Sequence, residues 1–331
     1  MRARATAASL ALLAAACSGD ISDGVVPDLL PAADLAAIPT LHFTSFQDDT
    51  QPDLFGITGL GGGDLFAVGQ WSWILHTTNG GVTWSQVNGL YDPHKPTLPT
   101  LRAVSGVKAL VITVGDAGTI LSSGDDGATW ITQKSGTMSN LLAISVTSAT
   151  DAWAAGASGT LLHSSDGGVT WTAVTSSTTS DLRALFAVGG HVYAVGTGGV
   201  GLRVDGAMPV AGTLGTTSDL DALWGQSSAM TTELFSTGAK GTLRHTSDGK
   251  TWSAATSGTT EDIVGIWGSS AKEVFAGTSG GKFLHTLDDG ATWSLTDPGM
   301  SGITGTSLWA SAGRNVYLAA QRGFILHGSF Q

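Results

Sequence analysis

An octapeptide that keeps returning, a strand-like start that recurs seven times about every 40 residues, and a Gly-rich, charge-poor composition predict an all-β repeat protein. The fold class they define is a seven-bladed β-propeller of four-stranded antiparallel blades, the last closed by an N-terminal strand. Of 331 residues, 47 are Gly and 11 are Trp, while only 12% are charged. Ordinary chains carry about 7% Gly and about 25% charge, so turns and buried aromatics dominate here. A hydrophobic share of 42% argues against disorder. A single cysteine rules out a disulfide scaffold. The formal net charge of −11 argues against a nucleic-acid partner, because phosphate contacts need Lys and Arg.

The chain opens with residues 1–16, MRARATAASLALLAAA. A basic start at Arg2 and Arg4, an apolar stretch and small residues read as a secretory signal, too short to span a bilayer. Cys17 follows, and Leu13 to Cys17 resembles a bacterial lipobox, although Leu13 stands one place further from the Cys than that pattern has it. The resemblance implies cleavage before Cys17 and a diacylglycerol on its thiol. Ser18 supplies no Asp-type inner-membrane retention signal, so the expected address is the outer membrane or cell surface. Residues 17–40, with four Asp and three Pro, read as a lipidated tether. The membrane is touched only through that anchor.

Residues 41–331 read as one propeller. The octapeptide is Ser123 to Trp130 (SGDDGATW), Ser164 to Trp171 (SSDGGVTW) and Thr286 to Trp293 (TLDDGATW). Thr77 to Trp84 keeps it with Asn79 for Asp, and Thr246 to Trp252 keeps Asp248 but is one residue short. The Trp steps are 46, 41, 81 and 41, the double step spanning a degenerate unit around Asp205-Gly206. Seven starts precede these boxes: Leu54, Leu101, Leu141, Leu182, Leu220, Ile263 and Ile303. Between start and box lie two further β-rich runs joined by a Gly-bearing turn, and the Trp opens a fourth strand. The last unit ends at His327 with no box, whereas Leu41–Phe46 is a strand-like run without a blade. Its expected place is the outer edge of the last blade, which would otherwise be an open edge.

In each box the Asp (Asp125, Asp166, Asp248, Asp288; Asn79 in the first) can accept backbone N–H groups as Asx turns do. Gly supplies a positive φ, and the Trp (Trp84, Trp130, Trp171, Trp252, Trp293) covers apolar area that locks turn to blade. This octapeptide is identified as a member of the Asp-box, or BNR, repeat. Units such as Leu101–Trp130 and Leu141–Trp171 resemble the photosystem II stability and assembly factor-like family of propellers. That resemblance implies a fold and a scaffold or chaperone role. It does not imply photosynthesis, because it lies in the blade frame.

The enzyme readings are weak. Sialidases, which share the box, need three Arg, a Tyr nucleophile with a Glu, and an acid. Here Arg102, Arg183, Arg203, Arg244, Arg314 and Arg322 lack that family's Arg-Ile-Pro setting, and only Tyr91, Tyr193 and Tyr317 are present. Other glycosidases need two carboxylates across a cleft, and Asp221 and Glu261/Asp262 are the acids placed near strand-one starts. His76, His163, His245, His285 and His327 recur before the boxes. On neighbouring blades they stand too far apart to share zinc, whose ligands lie about 2 Å from the ion. They read as packing residues, and no metal or other cofactor is expected. No G-x-S-x-G elbow or phosphate loop appears.

A partner surface belongs on the face away from the boxes, where fourth strands lead to first strands and second to third. There residues 88–100 form a long Pro-rich loop, Trp71 and Trp73 replace the Gly or Ala expected in other turns, and Arg102 and Arg183 follow strand-one starts. The position they share is Phe55, Leu142, Asp221, Val264 and Thr304 elsewhere. Variable residues on a constant frame are where binding surfaces are built. The candidate face is Trp71, Trp73, Tyr91, His94, Lys95, Arg102 and Arg183. The function read from these observations is a non-enzymatic, monomeric envelope lipoprotein that binds a protein partner. The alternative is a surface carbohydrate-binding protein or Asp-box glycoside hydrolase, with exposed Trp stacked on glycan.

Overall fold

The computed structural model describes residues 41–47, 52–87, 98–205, 208–228, 231–300, 302–311 and 315–330. The leader, the tether and Cys17 lie outside the described residues, as do Tyr91, His94 and Lys95. Among the described residues no helix is long and apolar enough to cross a membrane.

Seven four-stranded antiparallel sheets make seven blades. Blade 2 shows the plan: Leu101–Val107, Leu110–Gly115, Ile120–Ser123 and Ile131–Gln133, from the channel outward. Its second strand is buried at every position and its fourth is largely exposed. That is why second strands read as unbroken apolar runs rather than as alternation. The degenerate unit is a full blade, because Met208–Thr213 pairs with Val200–Asp205 in a tight hairpin. In blade 7, Gly305–Ala310, Asn315–Ala320 and Phe324–Phe330 follow the same order from the channel outward.

The apolar cores lie between blades. Phe66, Val68 and Ile74 of blade 1 pack on Leu101, Val104 and Leu121 of blade 2. Each other junction has its own cluster, including Leu54 and Ile57 of blade 1 against Tyr317 and Ile325 of blade 7. The ring is therefore sealed by side chains where its first and last blades meet. Fourth strands begin one residue after the box Trp, at Ile131, Thr172 and Ser294, rather than on it.

The boxes are turns closed on themselves. In blade 2 the Thr129 N–H donates to Asp125 Oδ1 at 2.8 Å and the Thr129 hydroxyl to Oδ2 at 2.6 Å. Ser123 Oγ donates to Asp125 Oδ1 and accepts the Gly127 N–H, both at 2.8 Å. Trp130 Nε1 donates to the Gly127 carbonyl at 3.1 Å. Asp166 and Asp288 repeat the arrangement. These donors hold the carboxyls below the ordinary range, Asp166 at about 2, led by the Thr170 hydroxyl. In blade 1 the polarity turns over: Asn79 Oδ1 accepts the Thr83 N–H at 3.0 Å while Asn79 Nδ2 donates to the Thr83 hydroxyl at 2.8 Å. In the short box, Asp248 Oδ1 takes the N–H groups of Lys250 and Thr251, each at 2.7 Å.

The repeated histidines each stack on the ring of the second strand beside them. His76 lies 4.1 Å from Phe66, His163 4.1 Å from Trp153, His245 4.4 Å from Phe235, His285 4.3 Å from Phe275 and His327 4.4 Å from Tyr317. Their other partners are single acids: Asp64 for His76, Asp151 for His163 and Glu233 for His245. His327 meets the neutral Asn315 at 3.0 Å instead.

Candidate functional site: the channel mouth

Every first strand carries a bulge one residue after its start. The register slips between Leu54 and Gly56, Leu101 and Ala103, Leu182 and Ala184, and so on around the ring to Gly305 and Ser307. A bulge leaves one residue unpaired and re-aims its side chain. The bulged residues are Phe55, Arg102, Leu142, Arg183, Asp221, Val264 and Thr306, and all line one central cavity of about 930 Å³. The last member corrects the sequence reading, which expected Thr304. Blade 7 begins at Gly305, two residues after Ile303, so its bulge falls on Thr306.

Arg102 and Arg183 are both here, each held by acids. Arg102 makes a two-pronged pair with Asp116, Nε to Oδ1 at 2.9 Å and Nη2 to Oδ2 at 3.1 Å. Its guanidinium lies 4.9 Å from the Phe55 ring centre. Arg183 Nη1 reaches Asp221 at 2.8 Å and Asp219 at 3.2 Å. Burial pushes the Asp221 carboxyl above its ordinary range, against the pull of Arg183. Burial also works against the charge on Arg183, but Asp221, Asp219 and Asp181 more than offset it and raise its pKa. About a third of each guanidinium side chain stays exposed, so both can still meet a ligand. Glu261 is engaged by Lys282 at 2.6 Å, whose hydrogen bond leads in holding its carboxyl low. Asp221, Glu261 and Asp262 are thus each committed to an ion pair or a turn, which leaves no facing pair of unengaged carboxylates in this set. Among the described residues no cluster of three His, Cys, Asp or Glu could hold a metal.

Outside this ring stands a second one. Between second and third strands, six of the seven turns have a left-handed residue at the tip: Trp71, Ala117, Ser158, Gly198, Lys240 and Arg322. Five tips are tied to the following blade by a side chain just before its first strand. Asn140 accepts the Ala117 N–H, Asp181 that of Ser158, Asp219 that of Gly198 and Asp262 that of Lys240, all at 2.8–2.9 Å. Asp53 accepts the Arg322 N–H at 2.9 Å, joining last blade to first. The sequence reading missed these capping residues and named only Asp221, Glu261 and Asp262 as acids near the starts. The signal was present: Asp or Asn stands immediately before five of the starts. It also expected only Gly or Ala where Trp71 stands, but Lys240 and Arg322 occupy that position too.

Trp73 does not belong to the candidate face. It is 2% exposed and packs on Leu54, Leu75 and Ile325 at the junction of blades 7 and 1. It follows the tip by two residues, where the chain turns back into the sheet, and its side chain goes inward. Trp71 remains half-buried on the mouth face. Its turn rests against blade 2, where Ser72 donates to the Pro99 carbonyl through N–H at 2.9 Å and Oγ at 3.1 Å. The structure therefore brings Trp71, Arg102 and Arg183 to one face.

Fold and site together define a seven-bladed propeller with a variable polar channel mouth. No family model matches the sequence, and no curated protein matches it either. Solved structures do. A structure described as YCF48 bound to D1 peptide shares 16% identity with a TM-score of 0.72, covering 87% of this chain and 97% of the other. YCF48 from Cyanidioschyzon merolae shares 17% with a TM-score of 0.71, over 87% and 98%. A streptogramin B lyase structure shares 11% with a TM-score of 0.76, over 88% and 98%. At these identities the likeness is one of fold.

Proposed function

We propose that this chain is a non-enzymatic protein-binding propeller, an assembly or scaffold factor of the cell envelope that grips its partner with the channel mouth. The observation that carries the reading is the bulged ring. Seven equivalent positions in a constant frame hold six residue types, with Arg at two of them and about a third of each Arg side chain open to solvent. Fold maintenance would favour one residue type at such positions, whereas recognition needs variety. The likeness to a propeller described with a peptide bound supports a protein partner.

The same reading takes the octapeptides as Asp-boxes, supported by their self-closed hydrogen bonding. It takes Leu41–Gln47 as the strand that closes the last blade, supported by its seven-residue pairing with Phe324–Phe330. It takes Cys17 as the lipidated residue that ties residues 41–331 to the outer membrane or cell surface. Metabolic labelling with a palmitate analogue should mark the wild-type chain and not Cys17→Ser.

Crosslinked capture from an envelope fraction tests the central reading. Arg102→Lys with Arg183→Lys, which keep the charge beside Asp116 and Asp221 but not the guanidinium fork, together with Trp71→Ala, should lose the captured partner with little change in melting temperature. Capture that survives all three changes would refute it. Saturable glycan binding in place of protein capture would move the chain to the carbohydrate class.

A further inference from the structure

We infer that the notch between blades 3 and 4, on the box face, is a receptor for a glycine-bearing aromatic turn of a partner protein. At five other junctions that place is filled from within: the second strand of one blade presents a side chain there, and the box of the following blade lies on it. At the sixth, blade 7 carries no box, and Phe275 of blade 6 is instead fully buried in the cluster between blades 6 and 7. Gly127 sits so close to Phe66 that a Cβ would come within 2.4 Å of its ring, and Gly290 stands 2.5 Å from Phe235 in the same sense. Gly168 meets Ile112, Gly249 meets Tyr193 and Gly81 meets Tyr317 likewise. The box Trp then comes edge-on, Trp130 at 6.1 Å from Phe66 and Trp293 at 6.2 Å from Phe235.

Trp153 is the equivalent side chain of blade 3. It is aligned across the sheet with His163 and stacked on it, as Phe66 is on His76. Blade 4, which follows, has no octapeptide: two residues join Asp205 to Met208. At this junction a cavity of about 620 Å³ opens, lined by Trp153, His163, Val174, Val188, His191 and Val204. That volume falls within the range of about 300–1,000 Å³ usual for ligand clefts. Its walls are apolar, and its rim carries the His163–Asp151 pair and the His191–Asp205 pair.

The occupant follows from the repeat. A box satisfies its polar groups internally, down to the Trp Nε1 that donates to its own Gly carbonyl. It docks on its neighbour mainly through apolar contact, to which the blade 1 box adds a hydrogen bond from the Tyr317 hydroxyl to the Gly80 carbonyl at 2.9 Å, and it needs no strand pairing with it. A turn of the same chemistry, offered by another protein, can fill the vacant place without being part of this chain. The notch is on the face opposite the channel mouth, so its occupation is independent of the function proposed above.

The probe is a backbone-cyclised, fluorescein-labelled SSDGGVTW peptide, the sequence of Ser164 to Trp171, titrated against the purified full chain. Saturable binding is expected with Kd at or below about 1 mM, equivalent to about −4 kcal/mol. The peptide with Ala in place of Trp should bind at least tenfold more weakly. Val188→Glu, a change at a half-buried lining position, should weaken the parent peptide by a similar factor. A chain with the octapeptide spliced between Asp205 and Met208 should fold and no longer bind, because the place is filled in cis. No saturable binding, or binding indifferent to both Val188→Glu and the splice, would overturn the inference. So would a glycan that occupies the notch while the peptide does not.

Discussion

The two faces of the ring are held by opposite means. On the box face each turn is closed within one octapeptide, as Asp125 is with Ser123 and Thr129. On the mouth face each turn is closed between blades, as the Ser158 tip is by Asp181 of the next blade. The first arrangement constrains the residues inside the turn, so the sequence repeats there. The second constrains one residue before the next strand and leaves the tip and the bulge free to vary. That freedom is what the recognition role proposed for the mouth face would draw on.

The comparison breaks first at Trp73. If it is a core residue, Trp73→Ala should cost about 3–5 kcal/mol, read as a lower denaturant midpoint. A Trp73→Ala chain of unchanged stability that lost its partner would return the residue to the binding face. Gly127→Ala tests the box face next. It adds a methyl against Phe66 at a φ of +86°, and overpacking of that kind costs about 1–3 kcal/mol. Asp53→Ala removes the cap between last and first blades, with an expected loss of about 1–2 kcal/mol, and hydrogen exchange should rise at Arg322 rather than within the boxes.

Smaller effects sharpen the contrast. Trp71 holds a φ of +56°, a conformation unfavourable for an aromatic residue. Trp71→Gly relieves that strain while loosening the unfolded chain, so stability should stay within about 1 kcal/mol as partner capture falls. The smallest effect is one of pH. Asp166 is held at about 2 in the folded chain, below its unfolded value of 3.8. Its contribution is complete above pH 4 or so and is lost as pH falls through about 2. Asp166→Asn, which copies the amide that blade 1 carries at Asn79, should keep the fold and flatten stability in that acid window. An unchanged acid profile would remove the box carboxylate from the account.

The blade count, the strand plan and the box turns were legible because each leaves a local mark. Asp, Gly and Trp at fixed offsets name a turn wherever they stand. The mouth was half legible. Arg102 and Arg183 stood out as departures from a repeated position, but Thr306 was displaced because Ile303 imitates a strand start two residues early. Trp73 misled because composition shows that a turn holds two Trp and not which way each side chain goes. The inter-blade caps were missed because Asp181 and Asp219 act on the preceding blade, a relation that only the closed ring makes visible.

The most direct test places a photo-crosslinking amino acid in the living cell at Leu142, on the bulged ring, and separately at Val82, which is 80% exposed in the blade 1 box. The account expects a discrete adduct from position 142 and none from position 82. An adduct from 82 with none from 142 would contradict it, and the partner would belong to the face of self-closed turns.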